Sequence, residues 1–412
     1  MRRAETDEQE RLILSKTMVM KRIICVLVAA GAVLAASAQD IYKNVLQSVE
    51  EGSTTLRALH EQALARKAEN HTGLTPADPE VEFGYLWAHP SAGGNRKDVA
   101  FSQQFDFPTA YVERAKLAGA LDRTSELDYL QQRQQLLLQA KQTCVELVYQ
   151  NALCRLYGQQ TEWARQTAEA CKRMLDGGET GKIEYNKAAL NLTEMESQLR
   201  EAQVTRQQLL VTLSAMAGGK DITFDLADYP APLSLPTDFE AWFAQAASAS
   251  PALQYLGAQV EASHRQVRVA RAQGLPKFSV GYTGELVPSQ NYNGVSVGMS
   301  IPLWENKGKV RQARAEASAA QLAAQDARVQ YYTQLRGLYE QARQQQQGIA
   351  AMEASLGTND HEAMLRRAYE GGEITLLTYL MENAYYLSVR TRQLEAKRDL
   401  ELTLASLSAF SL

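Results

Sequence analysis

The feature that most constrains the fold is that this 412-residue sequence is written twice. Pro79, Val81, Phe83, Gly84 and Tyr85 recur as Pro276, Phe278, Val280, Gly281 and Tyr282, at an offset of 197 (276 − 79 = 197). Further on, Phe107-Pro108 recurs as Ile301-Pro302, Gly177-Gly178-Glu179 as Gly371-Gly372-Glu373, and Leu213-Ser214-Ala215 as Leu407-Ser408-Ala409, at an offset of 194 (302 − 108 = 194). The spacing changes once, by three residues, between Tyr85 and Phe101. A unit of this length is far longer than solenoid or propeller repeats, so it reads as a duplicated half-molecule.

Each copy begins with helical spacing of apolar residues, over about Ile41 to Asn70 and about Asp238 to Gln273, and then switches to strict alternation. Val81, Phe83, Tyr85 and Trp87 share one strand face, and Phe101, Phe105 and Phe107 share another. In the second copy Phe278, Val280, Tyr282 and Leu286, then Val295, Val297, Met299 and Ile301, do the same. Their alternates are small or polar: Glu82, Gly84, Ser102, Gln104, Ser279, Gly281, Ser296, Gly298. Turn residues Pro90, Gly93, Gly94 and Asn95 mark one hairpin, and Pro288 with Asn293-Gly294 marks the other. Strands of about nine to eleven residues match the length of a tilted transmembrane strand. If they span a membrane, the residues facing lipid are Phe83, Tyr85, Trp87, Phe101, Phe105, Val280, Tyr282, Val297 and Met299. A small soluble sheet with one face on a helix is the other reading, but its second face is too polar for a core. Four strands cannot close a barrel, and open edges in lipid leave backbone groups unpaired, so several chains would have to share one barrel.

Long proline-free helical patterns follow each hairpin, from about Tyr111 to Leu175 and about Asn306 to Tyr369. Leu127, Leu130, Leu137, Leu147 and Leu153 are interrupted by Gln, Arg and Glu, as on a coiled-coil surface. The chain turns at Gly177-Gly178 and Gly371-Gly372, where glycine ends a helix. Return helices end near Met216 and Phe410. The resulting organisation is a leader (1–38), a first repeat (39–216, β-hairpin 80–108), a linker (217–237) and a second repeat (238–412, β-hairpin 276–303).

Lys21-Arg22, the apolar run Ile23 to Ala35 and Ala36-Ser37-Ala38 read as a secretory signal peptide cleaved after Ala38. About fourteen apolar residues fall short of the twenty or so that a spanning helix needs. Cys25 lies too early in that run to be a lipoprotein acylation site. Cys144, Cys154 and Cys171 share one helical stretch, too far apart for a disulfide, and read as small buried hydrophobes. His60, His71, His89, His264 and His361 show no ligand spacing, so no metal site is expected. Gly218-Gly219-Lys220-Asp221 fails as a phosphate loop, because Ser214 replaces the first glycine and Asp221 the required hydroxyl residue; it reads as a helix-ending turn. No catalytic arrangement or cofactor fingerprint is present, and a net charge of −4 gives no reason to invoke nucleic acid.

The order of motifs on both copies resembles the TolC-type outer-membrane efflux channel family over essentially the whole mature chain. The signs are Ser250-Pro251-Ala252-Leu253, Gly274-Leu275-Pro276 leading into Phe278-Ser279-Val280-Gly281-Tyr282, and Ser300-Ile301-Pro302-Leu303-Trp304. Tyr369-Glu370-Gly371-Gly372-Glu373-Ile374-Thr375-Leu376-Leu377, before Ala384, completes them. The resemblance implies a mainly α fold with membrane β: a homotrimer whose two β-hairpins per chain make a 12-stranded barrel and whose helical hairpins make a periplasmic α-barrel tunnel. It implies passive export across the outer membrane of a Gram-negative bacterium, with a periplasmic adaptor and an inner-membrane pump as partners. It also places Gly177, Gly178, Glu179, Ile183, Gly371, Gly372, Glu373 and Leu377 at a tip that meets the adaptor. Some relatives carry acidic rings past the second turn; the matching positions here are Thr378 and Met381, so that role does not transfer. Glu184 and Glu382 are the candidate pore-lining carboxylates, with a solvated exterior position as the alternative. The competing class is a periplasmic adaptor or structural coiled-coil protein, which would pair one helical hairpin with soluble β domains.

Overall fold

The computed structural model describes residues 42–89, 94–230, 235–288, 290–304, 306–356 and 361–412, without the side chain of Leu356. The expected signal peptide, Cys25, the turn residues Pro90 and Gly93, and Pro232 of the linker lie outside these residues.

The elements are α1 (42–52), α2 (Thr54–Asn70), β1 (Glu80–Leu86), β2 (Arg96–Phe105), α3 (Pro108–Asp176), α4 (Lys182–Met216), α5 (Phe239–Ala249) and α6 (Pro251–Ala272). They continue with β3 (Lys277–Val287), β4 (Gln290–Ser300), α7 (Lys309–Leu356), α8 (His361–Glu370), α9 (Leu376–Leu407) and a 3-10 turn at Ser408–Ser411. Two compact units result. One holds Leu56–Gln134 and Asp238–Leu335; the other holds Gln135–Thr237, Arg336–Leu412 and the described residues up to Thr55.

Each leading helix, expected to be continuous, is broken once. Ser53 and Ser250 sit at the breaks, both buried and 197 residues apart (250 − 53 = 197). Pro251 explains the second break: its ring excludes an interior helical position and pushes Ser250 to extended backbone (φ −65°, ψ 115°). At the first, Gly52 lies against the backbone of Ala217, where a Cβ would stand 2.3 Å from the carbonyl oxygen.

In the first unit the strands form one antiparallel sheet in the order β1-β2-β3-β4. The β3–β4 register pairs Val287 with Gln290, so the chain reverses between these two residues. Asn293-Gly294, expected as the turn, instead lies inside β4 opposite Gly284 and Thr283. Its turn-forming dipeptide is overridden by the ladder hydrogen bonds on either side. In the same unit Phe239 stacks on Phe243 and Tyr332 meets both edge-on, its centroid 4.9 Å from that of Phe243, and Asp238 caps α5 through the amides of Glu240 and Ala241.

In the second unit the core gathers Val45, Val49, Leu137, Cys144, Leu147, Val148, Leu213 and Phe224. The inter-repeat segment is pinned to α3: Asn151 donates from Nδ2 to the carbonyls of Phe224 and Leu226, and Arg155 donates to both carboxylate oxygens of Asp228 at 2.9 Å. Ala217 to Gly219 do end α4 as expected. Gly218 takes φ +73°, and the Gly219 amide reaches back to the Ser214 carbonyl at 2.8 Å. The long second helix, expected from about Asn306, begins at Lys309 after a turn in which Gly308 has φ +88°. It is described as α7 and α8, with 357–360 outside the described residues.

Candidate functional site

The sheet has two chemically different faces, and the register shows how they arise. One row across all four strands runs Val81, Phe101, Tyr282, Val295; others run Phe83, Val99, Gly284 and Phe105, Phe278, Met299. Rows one residue away run Glu80, Ser102, Gly281, Ser296 and Gly84, Asp98, Glu285, Tyr292. The nine residues expected to face lipid therefore share one face, with Trp87 continuing it past β1 in edge contact with Tyr85. Val297 and Val295 on β4 are 81% and 83% exposed, and Val81 on β1 is 74% exposed. An apolar face this bare is unstable in water, whereas in lipid it is matched. On the polar face Arg96 donates to Asp98 at 2.7 Å and lies 3.2 Å from Glu285. Close approach there requires glycine: a Cβ on Gly298 would meet Ser279 Oγ at 2.4 Å, and one on Gly281 would meet Ser296 Oγ at 2.7 Å.

In the helical unit both expected turns take the same form. The Glu179 amide donates to the Met174 carbonyl at 2.8 Å and the Gly178 amide to Leu175; the Glu373 amide donates to Ala368 at 2.9 Å and the Gly372 amide to Tyr369. With Gly178 at φ +78° and Gly372 at +71°, each is a six-residue Schellman closure. The two turns are brought together by one apolar cluster, in which Ala168 and Cys171 of α3, Ala188 of α4, and Leu376 and Tyr379 of α9 are buried against Tyr369 and Ile374. Around it Ile183 (71% exposed) and Leu377 remain bare. Glu184 is held by Lys187 at 3.2 Å, and Glu382 is exposed.

Three features here escaped sequence reasoning. Gln160 of α3, almost fully buried, donates from Nε2 to Glu362 of α8 and accepts at Oε1 from Asn383 Nδ2 of α9 at 2.9 Å. The carboxylate of Glu362 thus orients Gln160, which orients Asn383 and leaves Asn383 Oδ1 without a partner among the described residues. Asn383 lines a groove of about 490 Å³ between α4 and α9, with Glu194, Gln198, Ser388 and Arg392. Finally, α4 carries Ile183, Leu190, Val204 and Val211 exposed at multiples of seven residues, away from its buried Ala188, Met195 and Ala202. Heptad spacing was detectable in the sequence, but which of the two stripes is covered was not.

The three cysteines are unpaired; Cys144 and Cys171 are buried in the apolar clusters, and burial pushes the Cys144 thiol up to about 12.

Residues 242–411 match the sequence profile of the outer membrane efflux protein family. A search of curated proteins returns no match. Among solved structures, the outer-membrane channel OprN is 15% identical with a TM-score of 0.73, covering 90% of this chain and 89% of its own. The Campylobacter jejuni CmeC outer membrane channel is 17% identical with a TM-score of 0.72, covering 90% and 85%. The open state of the Neisseria gonorrhoeae MtrE outer membrane channel is 14% identical with a TM-score of 0.72, covering 90% and 88%. The chain therefore has the fold of the TolC-type outer-membrane channels, and its second half carries the sequence pattern of the outer membrane efflux protein family.

Proposed function

We propose that three copies of this chain close a 12-stranded β-barrel in the outer membrane of a Gram-negative bacterium, and that their helical hairpins form a periplasmic tunnel. The protein is the outer-membrane channel of a tripartite efflux system, a passive conduit and not an enzyme. The observation that carries this reading is the sheet: one apolar face, one polar face, and β1 and β4 each with a single hydrogen-bonded neighbour among the described residues. Four such strands leave backbone groups unpaired in lipid at several kcal/mol each, and pairing β4 of one copy with β1 of the next removes both edges. Twelve strands lie within the range of transmembrane barrels. The exposed heptad stripe of α4 supplies a second contact between copies, since apolar residues seven apart fit a partner helix in a left-handed supercoil.

The tip around Gly178 and Gly372, with Ile183 and Leu377 exposed beside it, meets the periplasmic adaptor, which links the channel to an inner-membrane pump. Glu184 and Glu382, repeated threefold, line the pore near that tip. Within the chain, residues 39–216 and 238–412 act as two equivalent halves, each giving one barrel hairpin and one tunnel hairpin. Planar-bilayer recording of the purified protein tests the reading: stepwise conductance from an oligomer supports it, and bilayers left silent by a protein that remains soluble without detergent would rule it out.

A further inference from the structure

The helices that leave the second hairpin carry a charge pattern that neither the fold nor the conduit function requires. Val267 and Ala270 of α6 pack against Ala313 and Ala317 of α7, and Asn306 donates to the Gln273 carbonyl. This contact sets the segment of α6 that carries Arg268 and Arg271 against the segment of α7 that carries Arg311 and Arg314, with Lys307 and Lys309 in the turn and first residue that start α7; all six are exposed. Arg268 and Arg271 are three residues apart, as are Arg311 and Arg314, so each pair shares one helix face. Between Ala262 and Pro276 the sequence has no acidic residue, and between Ile301 and Ala315 only Glu305. The one carboxylate shown to act on this group is Glu113 of α3, which is paired with Lys116 at 2.9 Å and also feels Arg268 and Arg265.

The duplication provides an internal control. At an offset of 197 Arg268 and Arg271 correspond to His71 and Leu74; at an offset of 194 Lys307, Lys309, Arg311 and Arg314 correspond to Glu113, Ala115, Leu117 and Ala120. The same helical scaffold is thus built in the first copy with no arginine or lysine at any of these six positions, and its own Arg114 and Lys116 in the same turn are paired with Asp106 and Glu113. Lys309 and Arg311 also stand in the first turn of α7, which has no acidic residue, where positive charge opposes the helix macrodipole. Folding does not select this arrangement, so a partner of opposite charge is the physical reason left for it. The position indicates which partner. The apolar face of β4 ends at Met299 and continues into exposed Ile301, Leu303 and Trp304, the last 77% exposed. Tryptophan concentrates at the membrane–water boundary, which sets the six basic residues at headgroup depth.

We propose that this surface binds the phosphodiester headgroups of anionic phospholipids in the periplasmic leaflet; the proposal rests on the channel reading above. A single arginine guanidinium can hold a phosphate by two parallel hydrogen bonds, and lysines add charge without geometric demand. In a trimer, three such surfaces alternate around the rim with three from the first copy, where Arg114 and Lys116 are already paired with carboxylates.

The test uses the full chain purified in neutral detergent, titrated with phosphatidylglycerol or with phosphatidylcholine of the same acyl chains, the bound lipids counted by native mass spectrometry. Retention of phosphatidylglycerol over phosphatidylcholine is expected, and high salt should abolish the preference. The variant Arg268→Gln/Arg271→Gln/Arg311→Gln/Arg314→Gln should weaken it by about fivefold for each arginine removed. Arg271→Gln alone, with a smaller loss, serves if the fourfold variant does not assemble. Equal retention of both lipids by the wild type, or an unchanged preference in the variants, overturns the proposal. A variant that alters the ion selectivity of the pore and leaves lipid retention untouched does so as well, by assigning these residues to the pore wall. Wild-type protein that never partitions into membranes defeats the channel reading itself; membrane insertion without headgroup preference defeats only the lipid surface.

Discussion

Phe101 on β2 stands directly opposite Tyr282 on β3, and that pairing joins the first hairpin to the second. Residues 181 positions apart (282 − 101 = 181) thereby become neighbours on one apolar face, and both sequence copies contribute to a single four-stranded sheet. In the proposed channel the unit presented to the membrane is the joined sheet.

Substitution on the two faces should separate lipid from lumen. Val297→Arg places a charge in the middle of the apolar face and should cost about 2–4 kcal/mol at mid-bilayer depth. Gln104→Arg, on the polar face of β2, should be tolerated. The fraction of each variant reaching a heat-labile oligomer in the outer membrane measures the difference.

At the tip, Gly178→Ala and Gly372→Ala should each lower stability by about 1–2 kcal/mol, because both residues hold positive φ where a Cβ meets the following carbonyl. Ile183→Ser, at an exposed position, should leave the melting temperature nearly unchanged yet weaken binding to the adaptor. Calorimetry of the variants together with a pull-down of a periplasmic adaptor protein distinguishes the two effects.

Gln160→Leu removes the only side chain linking Glu362 to Asn383 in the buried set described above. It leaves a carboxylate and an amide without those contacts and should destabilise by about 1–3 kcal/mol. Chemical denaturation of the wild type and variant reads this directly, and a variant as stable as the wild type would show that the network carries no weight.

Much of the fold was legible because each element announces itself through periodicity: Phe83 to Trp87 alternate, and Leu127 to Leu153 recur at helical spacing. Gly178 and Gly372 could be placed because only glycine fits a positive φ at a helix end. Pairing between the hairpins could not be read, since alternation says which face a residue takes but not which strand lies alongside. Asn293-Gly294 misled for a related reason, as a local turn preference is weaker than the ladder bonds on both sides. The Gln160 network was hidden because a glutamine in a long polar helix has the same sequence signature whether buried or solvated.

Stability should also fall as pH rises from about 4.5 to about 7, because of one carboxyl. Burial pushes Glu401 on α9 up to about 7, with Lys141 only partly offsetting it, and burial lowers Lys141 in turn. A carboxyl whose folded pKa lies above its unfolded value keeps its proton in the native state after the unfolded chain has lost it. Between about pH 4.5 and 7 the folded state therefore loses stability with rising pH, and above that window the penalty is constant. Glu401→Gln should stabilise by up to about 3 kcal/mol at pH 8 and by less than about 1 kcal/mol at pH 5. Thermal melts at both values provide the check, and an equal effect at the two would contradict the assignment.

In the proposed channel the four strands of this chain are completed only by those of two other copies in the outer membrane. Fractionation of cells followed by electrophoresis with and without heating is the decisive experiment. An outer-membrane, detergent-requiring species that migrates as three chains unheated and as one after boiling is expected. A soluble monomer in the periplasmic fraction would contradict it.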